Sequence, residues 1–215
     1  MFSLNEGANI KCLINKTILF LYKFCFFVIP KYGVLIINPN KKMTIVLMGY
    51  MASGKSFVGK VLAKKLDYNF IDLDNYIEKQ EGVSISNIFE SSGEIYFRKI
   101  ETKYLNEILE SKTNMVLSLG GGTPCYGNNL QLIKNNPKTV SFYLKANINT
   151  IVFRLESEKV KRPLVARFRS KDQLVQFIGK HLFERNHFYN KANYVIQTDQ
   201  ASVDTIVEDI ILRLF

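Results

Sequence analysis

The chain has 215 residues, 47% hydrophobic and 22% charged, with a net charge of +10. That is the composition of an ordinary globular protein with room for one medium domain. The basic excess suits anionic small substrates. No run of basic residues is interleaved with aromatics, which argues against nucleic acid as a partner. Three cysteines, Cys12, Cys25 and Cys125, are few, odd in number and not at metal-ligand spacing. They point away from a disulfide framework or a zinc site and toward a reduced cytoplasm.

Residues 1–42 differ from the rest, with six lysines against one acid, Glu6. The segment "TILFLYKFCFFVIPKYGVLII" is apolar but broken by Lys23, Pro30 and Lys31. Its longest charge-free run falls well short of the ~20 residues that span a bilayer. No small-residue cleavage site follows it, so it does not read as a secretory signal. A membrane tether is one reading. The reading preferred here is a poorly ordered extension, or upstream sequence translated from an early start codon, with the domain occupying 43–215.

From Met43 the pattern becomes regular. "TIVLMG" is a β-branched apolar run ending in glycine, as in a buried strand. Val58, Val61, Leu62 and Leu66 then mark one face of a helix, with Lys60, Lys64 and Lys65 opposite. "NFIDLD" predicts a second strand. Helices are expected over Asn75–Glu81, around "SISNIFESSG" and over Glu94–Leu109. "MVLSLGGG", "TVSFYL" and "NYVIQT" predict strands three to five. Helices at 148–156, within 171–189 and at 202–214 complete the series. Such alternation predicts an α/β protein with a parallel sheet covered on both faces. Ligands of such sheets sit beyond the carboxyl ends of the strands, where Gly49, Asp72 and Gly120 fall.

Gly49-x4-Gly54-Lys55-Ser56 matches the phosphate-binding loop pattern in full and lies between a predicted strand and a predicted helix. Glycines let successive backbone N–H groups converge on phosphate oxygens, and the helix N-terminus adds partial positive charge. Lys55 is placed to neutralise the β- and γ-phosphates, and Ser56 to offer a hydroxyl to Mg²⁺. The plainer reading is a glycine turn with an incidental lysine. A chance match is on the order of one in a hundred at usual glycine frequency.

Asp72 and Asp74 follow, two residues apart at the end of the second strand. In a strand such residues share a face, so both carboxylates are expected to face the loop. One could serve Mg²⁺, which prefers hard oxygen ligands. The other could hold a hydroxyl acceptor. Against this, Asp74 could merely cap the next helix.

From Met43 onward the chain resembles the shikimate kinase family. The matching stretches fall in the family's order: "GYMASGKSFVGKVLA", "FIDLDNYIE", "SISNIFESSGEIYFRKIE", "LSLGGGTP", "KRPLV" and "FERNHFY". The resemblance implies a three-layer P-loop kinase fold of nucleoside-monophosphate-kinase type, with a five-stranded parallel sheet and a mobile lid. It implies transfer of the γ-phosphoryl of ATP to the 3-hydroxyl of shikimate, in aromatic amino acid biosynthesis. The alternative is a related kinase for another hydroxy acid, such as gluconate. A cytoplasmic monomer without stable membrane association is expected.

The resemblance also assigns roles. Ala52, Ser53, Gly54, Lys55, Ser56 and Phe57 wrap the ATP phosphates. One Mg²⁺ sits on Ser56 and, through water, on Asp72. Asp74 holds shikimate hydroxyls, and Arg98, Gly121 and Arg185 bind the same substrate. Arg162 reaches ATP from the lid; Lys55, Asp74 and Arg162 form the catalytic set. Phe89 and Phe97 supply apolar wall, and Glu101 pairs with Arg98. Without the resemblance, Arg98 and Glu101 would read as a surface ion pair, and the basic stretch 154–171 as a solvated loop. His181 and His187 read as surface or packing residues. The adenine contacts near the C-terminus have no sequence signature.

Overall fold

The computed structural model describes residues 26–29, 33–36, 42–157, 168 and 170–214. It divides into two units, Met1–Lys42 and Met43–Leu214. In the first, β1 (Phe26–Ile29) and β2 (Gly33–Ile36) pair antiparallel, with Phe26 opposite Ile36 and Ile29 opposite Gly33.

The second unit holds a five-stranded sheet. Its strands are β3 (Thr44–Met48), β4 (Asn69–Asp72), β5 (Met115–Ser118), β6 (Thr139–Lys145) and β7 (Tyr194–Gln197). Their spatial order is β4-β5-β3-β6-β7, and every pairing is parallel. β3 lies at the centre, with Thr44 in register with Met115 on one side and Thr139 on the other. All five predicted strands are present.

The helices are α1 (Lys55–Leu66), α2 (Leu73–Glu81), α3 (Ile85–Leu109), α4 (Asn129–Asn135), α5 (Ile148–Ser157), α6 (Lys171–Tyr189) and α7 (Val203–Leu214). Every residue of β3 is buried, as a central strand covered on both faces requires. Val46 and Met48 join one core with Leu73 and Ile77 of α2, Leu105 of α3, Leu155 of α5 and Ile178 of α6. Ile45 and Leu47 point the other way. There α1 lies so close that a Cβ on Gly59 would come within 3.2 Å of Leu47 and 2.5 Å of the Phe70 ring. The architecture is therefore three layers, helix–sheet–helix.

Local chemistry sets the helix ends. Ser84 caps α3 by accepting from the Asn87 amide, and Ser170 caps α6 by accepting from Gln173. The two helices expected around "SISNIFESSG" and Glu94–Leu109 form one run that breaks at Gly93, where φ is 78° and ψ 174°. Little but glycine adopts that backbone, and nothing crowds the position.

Two boundaries differ from expectation. Strand β4 ends at Asp72 and α2 begins at Leu73, so Asp74 lies in the first helical turn and not on a strand. The shared-face argument drawn from strand geometry therefore does not apply to this pair. The 3₁₀ turn Thr123–Cys125 and the short helix α4 were not anticipated. Neither is long enough to display a hydrophobic period.

Candidate functional site

The loop from Gly49 to Gly54 closes β3 and opens α1. Gly49 has a φ of 147°, and a Cβ there would meet the Leu144 carbonyl oxygen at 2.6 Å. Only glycine fits between the loop and β6. Ala52 adopts φ 58°, a left-handed conformation that costs an L-residue roughly 1–2 kcal/mol. Its carbonyl accepts from Arg154 Nη1 at 3.1 Å, while Arg154 Nη2 donates to the Thr198 carbonyl at 2.8 Å. Arg154 thus ties the loop to the segment after β7, and is not the solvated residue that its charged surroundings suggested.

Lys55 is buried and folds back over the loop. Its Nζ donates to the carbonyls of Gly49 (3.0 Å) and Tyr50 (2.9 Å). Ser53 Oγ is buried without a hydrogen-bond partner among the described residues. At the start of α1 the first-turn amides have no intrahelical partners. The loop, α1 and α7 line a cavity of about 570 Å³ that also includes Asp72, Asp74, Gly121 and Arg154.

The two aspartates occupy distinct positions in that cavity. Asp72 is the N-cap of α2, yet its side chain makes no capping bond. Instead Asp72 Oδ2 accepts from Ser56 Oγ at 2.6 Å, and Ser118 Oγ lies 3.4 Å from the same hydroxyl. Asp74 is half-buried. Burial is the main cause that lifts its carboxyl to about 6; the neighbouring Asp72 adds to this, and Lys55 opposes it. A cap role for Asp74 does not fit, since Asp72 holds the cap position.

Asp74 leads to the second half of the site. A Cβ on Gly120 would meet Asp74 Oδ1 at 2.7 Å, Thr123 Oγ1 at 3.0 Å and Glu101 Oε1 at 3.4 Å. Three side chains thus converge on bare backbone. Glu101 is 1% exposed, which sets it apart from a surface ion-pair partner. It accepts from Arg98 Nη1 at 2.8 Å and from Thr123 Oγ1 at 2.7 Å. Arg98 also bonds Glu94 through Nη2, at 3.2 Å. Phe97 is buried and Phe89 partly exposed, their rings 4.7 Å apart.

Helix α6 supplies the far wall. Tyr189 donates to the Gly121 carbonyl, and the Arg185 charge, one turn away on the same helix, acts on its hydroxyl. Cys125 lies within the electrostatic reach of both Arg185 and Arg98, although burial pushes its thiol up to about 11. Two cationic groups therefore approach one spot from α3 and α6. His181, one turn before Arg185, shares a hydrogen bond of 3.1 Å with the Tyr50 hydroxyl and packs on Phe177. That matches a packing role. His187 is exposed against Phe188.

Asp72, Asp74, Gly121 and the residues from Ala52 to Phe57 line one cavity, with Arg98 and Arg185 beside it through Glu101 and Tyr189. Arg162 and the lid expected around it lie outside the described residues. Sequence reasoning missed Ser118, Cys125, Tyr126 and Tyr189. None has a spacing signature, although Cys125 and Tyr126 directly follow the "GGGTP" stretch. Chemically, the site offers a phosphate cradle, a hard-oxygen pair, a carboxylate with a raised pKa and a cationic pocket.

A family model for shikimate kinase matches residues 51–215. A shikimate kinase from Flavobacterium johnsoniae is 46% identical over 167 residues, covering 78% of this chain and 96% of that protein. Among solved structures, shikimate kinase from Bacteroides thetaiotaomicron aligns with a TM-score of 0.74 at 32% identity, over 80% of this chain and 98% of that one. Shikimate kinase from Acinetobacter baumannii, solved in complex with shikimate, aligns with a TM-score of 0.71 at 31% identity, over 81% and 94%.

Proposed function

The chain belongs to the shikimate kinase family, and we propose that it transfers the γ-phosphoryl group of ATP to the 3-hydroxyl of shikimate. The products are shikimate 3-phosphate and ADP, and the step serves the route to chorismate and the aromatic amino acids. The observation that carries this reading is the run of contacts from the P-loop, through Asp74 at Gly120, to the Glu101–Arg98 pair. Gluconate is the less favoured acceptor, because the relatives aligned at 31–46% identity are shikimate kinases.

In the reaction a bond forms between the acceptor oxygen and the γ-phosphorus. The bond from that phosphorus to the β-phosphate oxygen breaks, and the hydroxyl proton leaves. Lys55 swings from the Gly49 and Tyr50 carbonyls to the β- and γ-phosphates. The first-turn amides of α1 and the unpartnered Ser53 hydroxyl fit phosphate oxygens, with residues from Ala52 to Phe57 wrapping them. Arg162 would join from the lid, as the family resemblance assigns.

Ser56 and Asp72 present hard oxygens 2.6 Å apart, which suits Mg²⁺ bound directly by the hydroxyl and through water by the carboxylate. No cluster of three or more His, Cys, Asp or Glu residues suited to a metal occurs among the described residues. An ion that takes its other ligands from phosphate and water fits such a sparse donor set. When bound, Mg²⁺ neutralises charge on the transferring phosphates.

Asp74 orients the acceptor hydroxyl in line with the γ-phosphorus and is positioned to take its proton. A loose transition state asks little of a base, so orientation is the larger part of its work. Arg98 and Arg185 hold the shikimate carboxylate, for which a planar guanidinium offers two parallel N–H donors. Gly121 lets substrate approach bare backbone. The catalytic unit in this reading is residues 43–215, acting as a cytoplasmic monomer.

The direct test is ADP release with ATP and Mg²⁺, with shikimate or gluconate present and with neither. Release is expected only with shikimate. Equal turnover with and without it, or preference for gluconate, overturns the reading.

A further inference from the structure

We propose that Tyr126 is a positioning residue for the acceptor, its ring fixing the plane of the Arg98 guanidinium. The inference rests on the reading that Arg98 takes the shikimate carboxylate. It adds to that reading a residue outside the P-loop, the aspartates and the arginines.

Three observations carry it. The Arg98 Cζ lies 3.7 Å from the centroid of the Tyr126 ring, close enough for the ring to cover the guanidinium. The in-plane edges are occupied separately: Nη1 donates to Glu101, and Nε and Nη2 donate to Glu94. Finally, a Cβ on Gly122 would lie 3.1 Å from both Nη1 and Nη2 and 3.3 Å from the edge of the Tyr126 ring. The glycine leaves room for guanidinium and ring together.

The chemistry follows from what each contact consumes. Arginine has five N–H donors, all in the plane of the group. Glu94 and Glu101 use donors that a substrate carboxylate also needs. A ring lying over the face uses none and still attracts the cation through its quadrupole. It prevents the guanidinium from tilting while leaving edge donors for an incoming carboxylate. Bidentate recognition depends on that plane, because both oxygens must meet parallel N–H groups.

The chain connects ring and arginine through one turn. Thr123, at its start, donates its hydroxyl to Glu101, the buried in-plane partner of Arg98. The turn closes with the Cys125 amide bonded to the Gly122 carbonyl at 2.8 Å. Tyr126 follows directly. The segment Gly122–Tyr126 thereby holds Arg98 in two directions at once.

The test is steady-state kinetics on Tyr126→Ala, Tyr126→Leu and Tyr126→Phe, varying shikimate and ATP in turn, with a melting curve for each protein. Tyr126→Ala is expected to raise KM for shikimate about tenfold, the range of a partly desolvated cation–π contact. KM for ATP should move less than about twofold on the same scale. Tyr126→Leu, which keeps bulk but has no quadrupole, should resemble the alanine variant. Tyr126→Phe should recover most of the wild-type KM. The proposal is overturned if leucine restores KM, if phenylalanine fails to, or if KM for ATP rises in parallel. Arg98→Lys keeps the two ideas separable. If it leaves KM for shikimate unchanged, the carboxylate assignment itself has failed. If it raises KM strongly while Tyr126→Ala and Tyr126→Leu do not, only the role of the ring has failed.

Discussion

One uninterrupted stretch, Gly49–Ser56, makes the proposed nucleotide loop. The proposed acceptor pocket draws instead on Asp74 from α2, Arg98 and Glu101 from α3, the Gly120–Tyr126 segment, and Arg185 and Tyr189 from α6. The loop works mainly through backbone. Its donors are amides together with the Lys55, Ser53 and Ser56 side chains, and its shape is set by Gly49 against Leu144 and by Arg154 on the Ala52 carbonyl. The pocket works through side chains whose charges hold one another in place. A loop of the first kind tolerates change at positions that contribute backbone alone, which excludes Lys55 and Ser56. A pocket of the second kind transmits any single loss to its neighbours.

The largest expected effect tests the loop. Lys55→Ala should lower kcat by at least a hundredfold, because phosphoryl transfer rests on charge placed at the β/γ bridge. The fold should remain intact, because the loop's course is also set by Gly49 against Leu144 and by Arg154 on the Ala52 carbonyl. A variant that keeps more than a tenth of wild-type kcat would contradict this role for the lysine.

The next effect lies where the two regions meet. Asp74→Asn should lower kcat by about a hundredfold, as loss of an orienting or proton-accepting group does. Stability should move the other way. Burial, followed by repulsion from Asp72, raises the Asp74 carboxyl from 3.8 to about 6. The native state then holds this proton more tightly than the unfolded chain, so stability declines as pH rises from about 4 to about 6 and levels off above. In metal-free buffer at pH 7 the asparagine variant should be more stable by about 1–3 kcal/mol. Urea denaturation at pH 4, 5, 6 and 7 measures both the gap and its growth. A constant gap across that range would remove the pKa argument.

The smallest effect sharpens the account of the loop. Ala52→Gly should raise stability by about 0.5–1 kcal/mol, as relief of a left-handed alanine exceeds the added freedom of the unfolded chain. A shift of the urea midpoint with an unchanged slope is the expected signature. A loss of stability would mean that the methyl group contributes more than the strained backbone costs.

The same contrast explains what could be read in advance. The five strands were found from short runs of apolar residues, in β4 only Phe70 and Ile71, and the loop because its residues are consecutive. Asp72 and Asp74 were picked out correctly as neighbours of the loop, but for a partly wrong reason. A strand was assumed to continue through Asp74, whereas a helix begins at Leu73. Arg98 and Glu101 were visible as a helical pair, yet nothing in their spacing reveals that Glu101 is buried. Arg185 has no local signature, and its proposed role rests on the family resemblance. Tyr126 and Tyr189 act across long separations in sequence, on Arg98 and on the Gly121 carbonyl. Contacts of that kind leave no local period, and propensity is silent about them.

The strand order has a consequence for biosynthesis. β3 is the first strand of the five-stranded sheet to be made, and it lies at the centre. Its neighbours are β5 and β6, with Thr44 waiting for Met115 on one edge and Thr139 on the other. At ~5–20 residues per second, β6 emerges on the order of 5–20 s after β3. During that interval a wholly apolar strand, Ile45–Met48 flanked by Thr44, has an uncovered hydrogen-bonding edge. The nascent chain therefore passes through a period in which its most buried segment is its most adhesive one.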